Sequence, residues 1–167
     1  MTSRKSNKVS QNPLDSIIFR ADIRDAESAE HVLTKVGCGL LSHGVTSYCP
    51  TVVTSPASTY HTVLPHIHPR QGTRKVGATI LGVHVEGPFI SKEKKGAHME
   101  KHIRDPVSGM ESVQAMYGPG LANVTIITLA PELPGAMEAV TSCVGAGITV
   151  SLGHTMAELA QGEEAVR

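Results

Sequence analysis

The feature that most constrains the fold is a repeated alternation between short apolar segments and longer segments with helical spacing. Four segments have the apolar, β-branched pattern of strands, at residues 45–53, 78–85, 124–129 and 148–152. Short strands that are apolar on both faces are typical of parallel sheets. A strand–helix–strand order joins such strands by crossover helices. The sequence therefore predicts an α/β fold built on a parallel sheet.

The intervening segments have apolar residues at helical spacing. Helices are predicted over residues 25–41, 55–66, 108–117, 135–144 and 158–166, so that one helix precedes the first strand and one follows each strand. Ser55 is expected to cap the second helix, because serine is a favourable N-cap and Pro56 fits the first turn. Residues 1–24 are polar and aperiodic, and we expect them to form a flexible or divergent lead-in.

The number of repeating units limits the architecture further. Four strand–helix units are half of an eight-stranded (β/α)8 TIM barrel, which typically needs roughly 250 residues. The chain has 167 residues, and its last predicted helix runs to the C-terminus. We therefore expect residues 25–167 to be the N-terminal half of such a barrel, in a shortened product of a longer gene. A half barrel leaves strand edges open, and open edges favour pairing or aggregation.

Composition argues against several classes of protein. The 15 basic and 15 acidic residues balance, whereas nucleic-acid-binding domains usually carry a basic excess. No apolar run approaches the roughly 20 residues of a transmembrane helix, so no membrane partner is expected. Three widely spaced cysteines, at positions 38, 49 and 143, indicate free thiols rather than a disulfide framework. That usage favours a cytoplasmic protein.

Ionisable side chains follow the predicted strands where those strands end. Glu86 closes an apolar strand just before Gly87, Glu132 follows the third strand, and His154 follows the fourth. In parallel α/β folds this edge of the sheet carries the active site. A carboxylate oxygen and a neutral imidazole suit Zn²⁺ or a similar divalent ion. A structural role stays open for both residues: Glu86 as an acceptor of backbone N–H groups in the turn, and His154 as a hydrogen-bonded core histidine.

Two further groups of histidines need separate interpretation. His98 lies in the loop after Glu86, near Lys94 and Lys95, and can contact an anionic or hydroxylated substrate. A solvated loop is the better explanation for the lysines and an equal alternative for His98. The pair His66 and His68 has the His-x-His spacing of many metal sites. That pair is predicted to lie on a loop after a helix, away from the strand ends, so we do not expect it to bind a metal.

Four sequence blocks together resemble one known family. They are SHGVTSYCPTVVTSP, LGVHVEGPFISKEKKGAH, TLAPE and VSLGHT, in this order. The stretch from about Leu40 to Arg167 is similar to the N-acetylglucosamine-6-phosphate deacetylases of the amidohydrolase superfamily, and most similar to the animal form. The resemblance implies a metal-dependent barrel hydrolase that removes the acetyl group of N-acetylglucosamine 6-phosphate. The products would be glucosamine 6-phosphate and acetate.

The resemblance also implies roles for individual residues. Glu86 and His154 would be metal ligands, with zinc as the expected ion, and Ala97 and His98 would contact the amino-sugar phosphate. The general acid–base Asp, the remaining ligand His and the phosphate-binding residues of the family belong to later blocks, beyond Arg167. The chain by itself is thus expected to be inactive, and the full-length enzyme is expected to be a homodimer. Alternatives are a non-catalytic isoform that pairs with full-length subunits, or a different amidohydrolase.

Overall fold

A computed structural model describes residues 25–167, and the predicted lead-in of residues 1–24 lies outside this range. The order of elements confirms the predicted alternation of strands and helices. The described elements are α1 (Ala26–Ser42), β1 (Ser47–Tyr48), β2 (Thr51–Val53), α2 (Ala57–Val63), β3 (Thr79–Ile80), β4 (Val83–Glu86), α3 (Met110–Tyr117), β5 (Val124–Leu129), α4 (Ala136–Gly145), β6 (Thr149–Leu152) and α5 (Leu159–Ala165).

The strands form the parallel sheet that the sequence predicts. β2, β4, β5 and β6 lie side by side in that order, and every neighbouring pair is parallel. β1 and β3 form a separate two-stranded parallel pair. Because all strands of the larger sheet run in one direction, their carboxyl ends lie along a single edge. The α/β class is confirmed.

Two predicted strands are each broken in two, which is a correction to the single strands expected over residues 45–53 and 78–85. β1 and β2 are separated around Pro50, which has no N–H to donate to a ladder. Opposite it, β3 and β4 are separated at Gly82, whose φ is 137°. A Cβ there would lie 1.7 Å from the hydroxyl oxygen of Thr125. The backbone at Gly82 therefore approaches β5 too closely for any residue with a side chain.

Several helix ends differ from prediction, and α2 ends at Val63 instead of residue 66, where a 3₁₀ turn replaces its last residues. Ser55 does not cap α2: its hydroxyl donates to the Val53 carbonyl at 2.9 Å, and Pro56 is the N-cap residue. α5 ends at Ala165, one residue before its predicted end. By contrast, α1 begins where its sequence predicts, since the Asp25 carboxylate accepts the Ser28 N–H at 2.8 Å. None of the described helices combines the length and the apolar character needed to cross a bilayer.

The core supports the turn that follows Glu86 from below. Tyr60 and Tyr117 are fully buried and pack edge to face, with ring centroids 5.0 Å apart. Their hydroxyls approach the Gly87 carbonyl at 3.1 and 3.0 Å. Burial raises the pKa of both tyrosines, so each keeps its proton and donates. The Tyr60 hydroxyl also lies 3.2 Å from the Val53 carbonyl oxygen, so its proton is shared, and the backbone directly after Glu86 is fixed to the interior by Tyr117 together with Tyr60.

Candidate metal centre

Each strand of the larger sheet brings one polar side chain to the same edge. Thr54 directly follows β2, Glu86 is the last residue of β4, Glu132 follows β5 and His154 follows β6. The prediction that Glu86 and His154 meet at this edge is confirmed. Thr54 is a buried member of the cluster that no pattern in the sequence singles out.

Glu86 and His154 are in direct contact although they are far apart in the chain. The Nε2 atom of His154 lies 2.9 Å from Oε1 of Glu86, across a separation of 68 residues. The Nδ1 atom of His154 is 2.8 Å from the Lys94 carbonyl oxygen, which can only accept, so Nδ1 carries a proton. In the neutral imidazole, Nε2 then presents a lone pair towards a carboxylate. Two acceptors at this distance need a cation between them, either a proton or a metal ion.

The chemistry of this pair fits a divalent metal. Zinc binds imidazole nitrogen and carboxylate oxygen at about 2.0–2.2 Å, so two ligands at a tetrahedral angle lie about 3.3 Å apart. The observed 2.9 Å needs only a small adjustment. The side chains of Glu86 and His154 are 28% and 26% exposed, which leaves room for water and substrate beside them.

The backbone of His154 is held in an unusual conformation. Its φ is 52°, in the left-handed region that residues with a side chain seldom occupy. Its carbonyl accepts the Ser91 N–H at 2.9 Å, and the Glu132 carboxylate accepts the Met156 N–H at 2.7 Å and the Thr155 hydroxyl. Glu132 thus holds the segment that carries His154 and does not point to Glu86.

His98 completes the cluster from the loop that follows β4. Its side chain is 7% exposed, and its Nε2 lies 3.9 Å from Oε2 of Glu86. The rings of His98 and His154 pack edge to face with centroids 4.6 Å apart. Burial lowers the pKa of His98, and His154 lowers it further, while Glu86 opposes both by raising it. The ring is therefore neutral at neutral pH.

Within residues 25–167, Glu86, His98 and His154 form the one group of three potential ligands whose donor atoms lie within 4.8 Å of one another. Ala97 adjoins it in an exposed turn. His66 and His68 lie elsewhere, His66 at the end of a 3₁₀ turn and His68 with its Nδ1 3.3 Å from the Asn123 side chain. Both histidines lie after α2 and away from the strand ends, as the sequence predicts.

Comparison with known proteins finds several N-acetylglucosamine-6-phosphate deacetylases and, at 33% identity, an N-acetylgalactosamine-6-phosphate deacetylase from Escherichia coli. The bovine N-acetylglucosamine-6-phosphate deacetylase is 54% identical over 129 residues, which are 77% of this chain and 31% of the bovine protein. The human enzyme is 52% identical over 128 residues, or 76% of this chain and 31% of its own length. No protein-family model matches the chain.

Solved structures agree with the sequence relatives. The crystal structure of N-acetylglucosamine-6-phosphate deacetylase from Pasteurella multocida superposes with a TM-score of 0.67 at 32% identity. That match covers 81% of this chain and 34% of the Pasteurella chain. The chain spans about a third of the length of the proteins it matches. Over that third, the chain matches the N-acetylglucosamine-6-phosphate deacetylases both in sequence and in fold.

Proposed function

We propose that the chain supplies the metal-binding half-site of a hydrolase that removes the acetyl group of N-acetylglucosamine 6-phosphate. The observation that carries the proposal is the 2.9 Å contact between Nε2 of His154 and Oε1 of Glu86 at the carboxyl ends of parallel strands. The bovine and human relatives that share this stretch are named for that activity. We further propose that the four-stranded sheet is the first half of a (β/α)8 barrel, whose carboxyl edge is the usual site of catalysis.

Each group in the cluster has a distinct task in such a reaction. Glu86 and His154 would hold the divalent ion, with zinc as the proposed ion because the donors are one oxygen and one imidazole nitrogen. A divalent ion held by these two residues would lower the pKa of a water molecule and polarise an amide carbonyl. His98 lies beside Glu86 with Nε2 directed to the same space, where it can contact the acetamide. Ala97, in the adjoining turn, would line the substrate.

The chemistry also needs an acid to pass a proton to the leaving amine. We assign this role to no residue of the chain. The chain alone is therefore expected to release no glucosamine 6-phosphate. Measurable, metal-dependent release by the chain alone would contradict that expectation.

The proposal can be tested in a chimera. The 129 matched residues would replace their counterparts in the bovine relative, and release of glucosamine 6-phosphate and bound zinc would be measured together. We expect turnover and zinc binding in the chimera. Glu86→Gln keeps the shape of the side chain but removes its charge, and is expected to lower turnover at least about a hundredfold and to lose zinc.

His66→Ala is the matched control in the same chimera, because His66 lies outside the cluster. It is expected to leave zinc content and turnover unchanged. Full zinc occupancy in Glu86→Gln would contradict the role of Glu86 as a ligand. Loss of zinc in His66→Ala would show that the wrong histidines had been assigned. A folded, zinc-loaded chimera without release would favour an amidohydrolase of different substrate.

A further inference from the structure

The two histidines beside Glu86 differ in the hydrogen-bond partner of Nδ1: an acceptor for His154 and donor groups for His98. In His154, Nδ1 faces the Lys94 carbonyl oxygen at 2.8 Å, which accepts a proton. In His98, Nδ1 faces the hydroxyl of Thr54 at 2.7 Å and the backbone N–H of Thr54 at 3.4 Å. Because a neutral imidazole has one N–H and one lone pair, the partner at Nδ1 determines what Nε2 presents to the site.

The backbone N–H of Thr54 decides the direction of these hydrogen bonds. A hydroxyl can rotate to donate or accept, but an amide proton is fixed by the peptide plane. The Thr54 N–H points at Nδ1 of His98, so a second proton on Nδ1 would oppose it. The Thr54 hydroxyl has one other acceptor, the Glu86 carbonyl at 3.4 Å, which is more distant than Nδ1 at 2.7 Å. Both donors of Thr54 therefore favour a lone pair on Nδ1.

We propose that Thr54 is a positioning residue that holds His98 in the tautomer protonated at Nε2, so that His98 presents a hydrogen-bond donor to the site while His154 presents a lone pair. His98 is then unsuited to be a third metal ligand, although its Nε2 lies 3.9 Å from Glu86. An Nε2–H in this place suits a carbonyl oxygen or the negative charge that develops on it. The assignment to an acetamide carbonyl rests on the proposed function, whereas the tautomer does not.

The surroundings of Thr54 leave it little freedom to adopt another arrangement. Thr54 is 4% exposed and directly follows β2. The ladder between β2 and β4 pairs Val53 with Glu86, and so fixes the backbone next to Thr54 and at Glu86. Its hydroxyl oxygen lies over Gly87, where an added Cβ would be 2.1 Å away. Gly87 is thus a close-approach position that makes room for the Thr54 hydroxyl. The turn at Gly87 therefore determines the positions of both Glu86 and the Thr54 hydroxyl that orients His98.

The test is heteronuclear NMR of the imidazole nitrogens in the ¹⁵N-labelled 167-residue chain without metal. Through-bond correlations from the ring carbon protons distinguish protonated from unprotonated Nδ1 and Nε2. We expect His98 protonated at Nε2 in the unsubstituted chain. Thr54→Val keeps the shape of the side chain but removes the hydroxyl, and the ratio of the two tautomers is expected to fall by roughly fivefold, the factor that one ordinary hydrogen bond carries. Thr54→Ser restores the hydroxyl and is expected to restore the ratio.

A zinc titration of the same samples adds a second readout. We expect zinc to shift Nε2 of His154 and to leave the His98 Nε2–H signal in place. Protonation of His98 at Nδ1 in the unsubstituted chain would overturn the proposal, and this result needs no variant to fold. Equal tautomer ratios in folded Thr54→Val and Thr54→Ser would also overturn it, as would zinc coordination by His98. None of these readouts depends on deacetylase activity, so they are distinct from failure of the proposed function.

Discussion

The Gly87 carbonyl, which is approached by two buried tyrosine hydroxyls, permits a quantitative test of what holds the turn after Glu86 in place. Tyr117 donates to the Gly87 oxygen at 3.0 Å, and the single proton of the Tyr60 hydroxyl is shared between that oxygen at 3.1 Å and the Val53 oxygen at 3.2 Å, so either hydroxyl can satisfy the Gly87 carbonyl. Tyr117→Phe removes one net hydrogen bond, worth about 1 kcal/mol, and keeps the ring contacts. Tyr60→Phe costs at least as much, because the Ser55 N–H also bonds to that hydroxyl at 3.1 Å.

Removing both hydroxyls leaves the buried Gly87 carbonyl without either donor. An unsatisfied buried acceptor costs about 1–3 kcal/mol, so the double variant is expected to lose roughly 1 kcal/mol more than the sum of the single variants. Urea unfolding of the four proteins measures this difference as a double-mutant cycle. Tyr48→Phe with Tyr117→Phe is the control pair, because the Tyr48 hydroxyl donates to Leu33 and shares no partner. Additivity within about 0.4 kcal/mol for the Tyr60 and Tyr117 pair would refute the argument.

Two further perturbations address packing and charge. Gly77→Ala is expected to lose more than about 2 kcal/mol, because a Cβ there would lie 2.0 Å from the Gly37 backbone in α1. Gly147→Ala has the same left-handed φ with open space around it and should lose only about 1 kcal/mol by urea unfolding; equal losses would contradict the steric explanation. Arg70 lowers the pKa of Glu30 below its usual 4.5, so this carboxylate stabilises the fold above that pH and loses the contribution as the pH falls further. Glu30→Gln is therefore expected to make the free energy of unfolding depend slightly less on pH in the acid range, by less than about 1 kcal/mol. An unchanged acid transition would contradict this expectation.

The order of elements and the edge that carries the site follow from local pattern. Apolar β-branched runs between helical segments predict parallel strands, and the position of Glu86 and His154 after such runs predicts that they meet. The breaks at Pro50 and Gly82 are harder to predict. They depend on which residue of a neighbouring strand lies opposite, as Thr125 does for Gly82, and sequence spacing does not contain that register.

The supporting groups could not be predicted for a related reason. Thr54 is an ordinary strand-end residue in the sequence, and its importance comes from lying 2.7 Å from a histidine 44 residues away. The Lys94 carbonyl is a backbone group and leaves no residue-type signal at all. Glu132 lies at the edge where the sequence predicts it, and its hydrogen bonds with Thr155 and Met156 show that it orders the segment that follows β6.

The delivery of one polar group from each of four parallel strands also affects how the protein folds. The two proposed ligand atoms come from residues 68 positions apart, so closing that distance requires the β4–β5–β6 register to be complete. Contacts of such high sequence separation form late and slow the folding of parallel sheets. An ion held by Glu86 and His154 binds only the finished sheet, and at a hundred times its dissociation constant it would stabilise that state by about 2.7 kcal/mol. Metal affinity would then be a direct readout of the folded population, sensitive to substitutions far from the ligands.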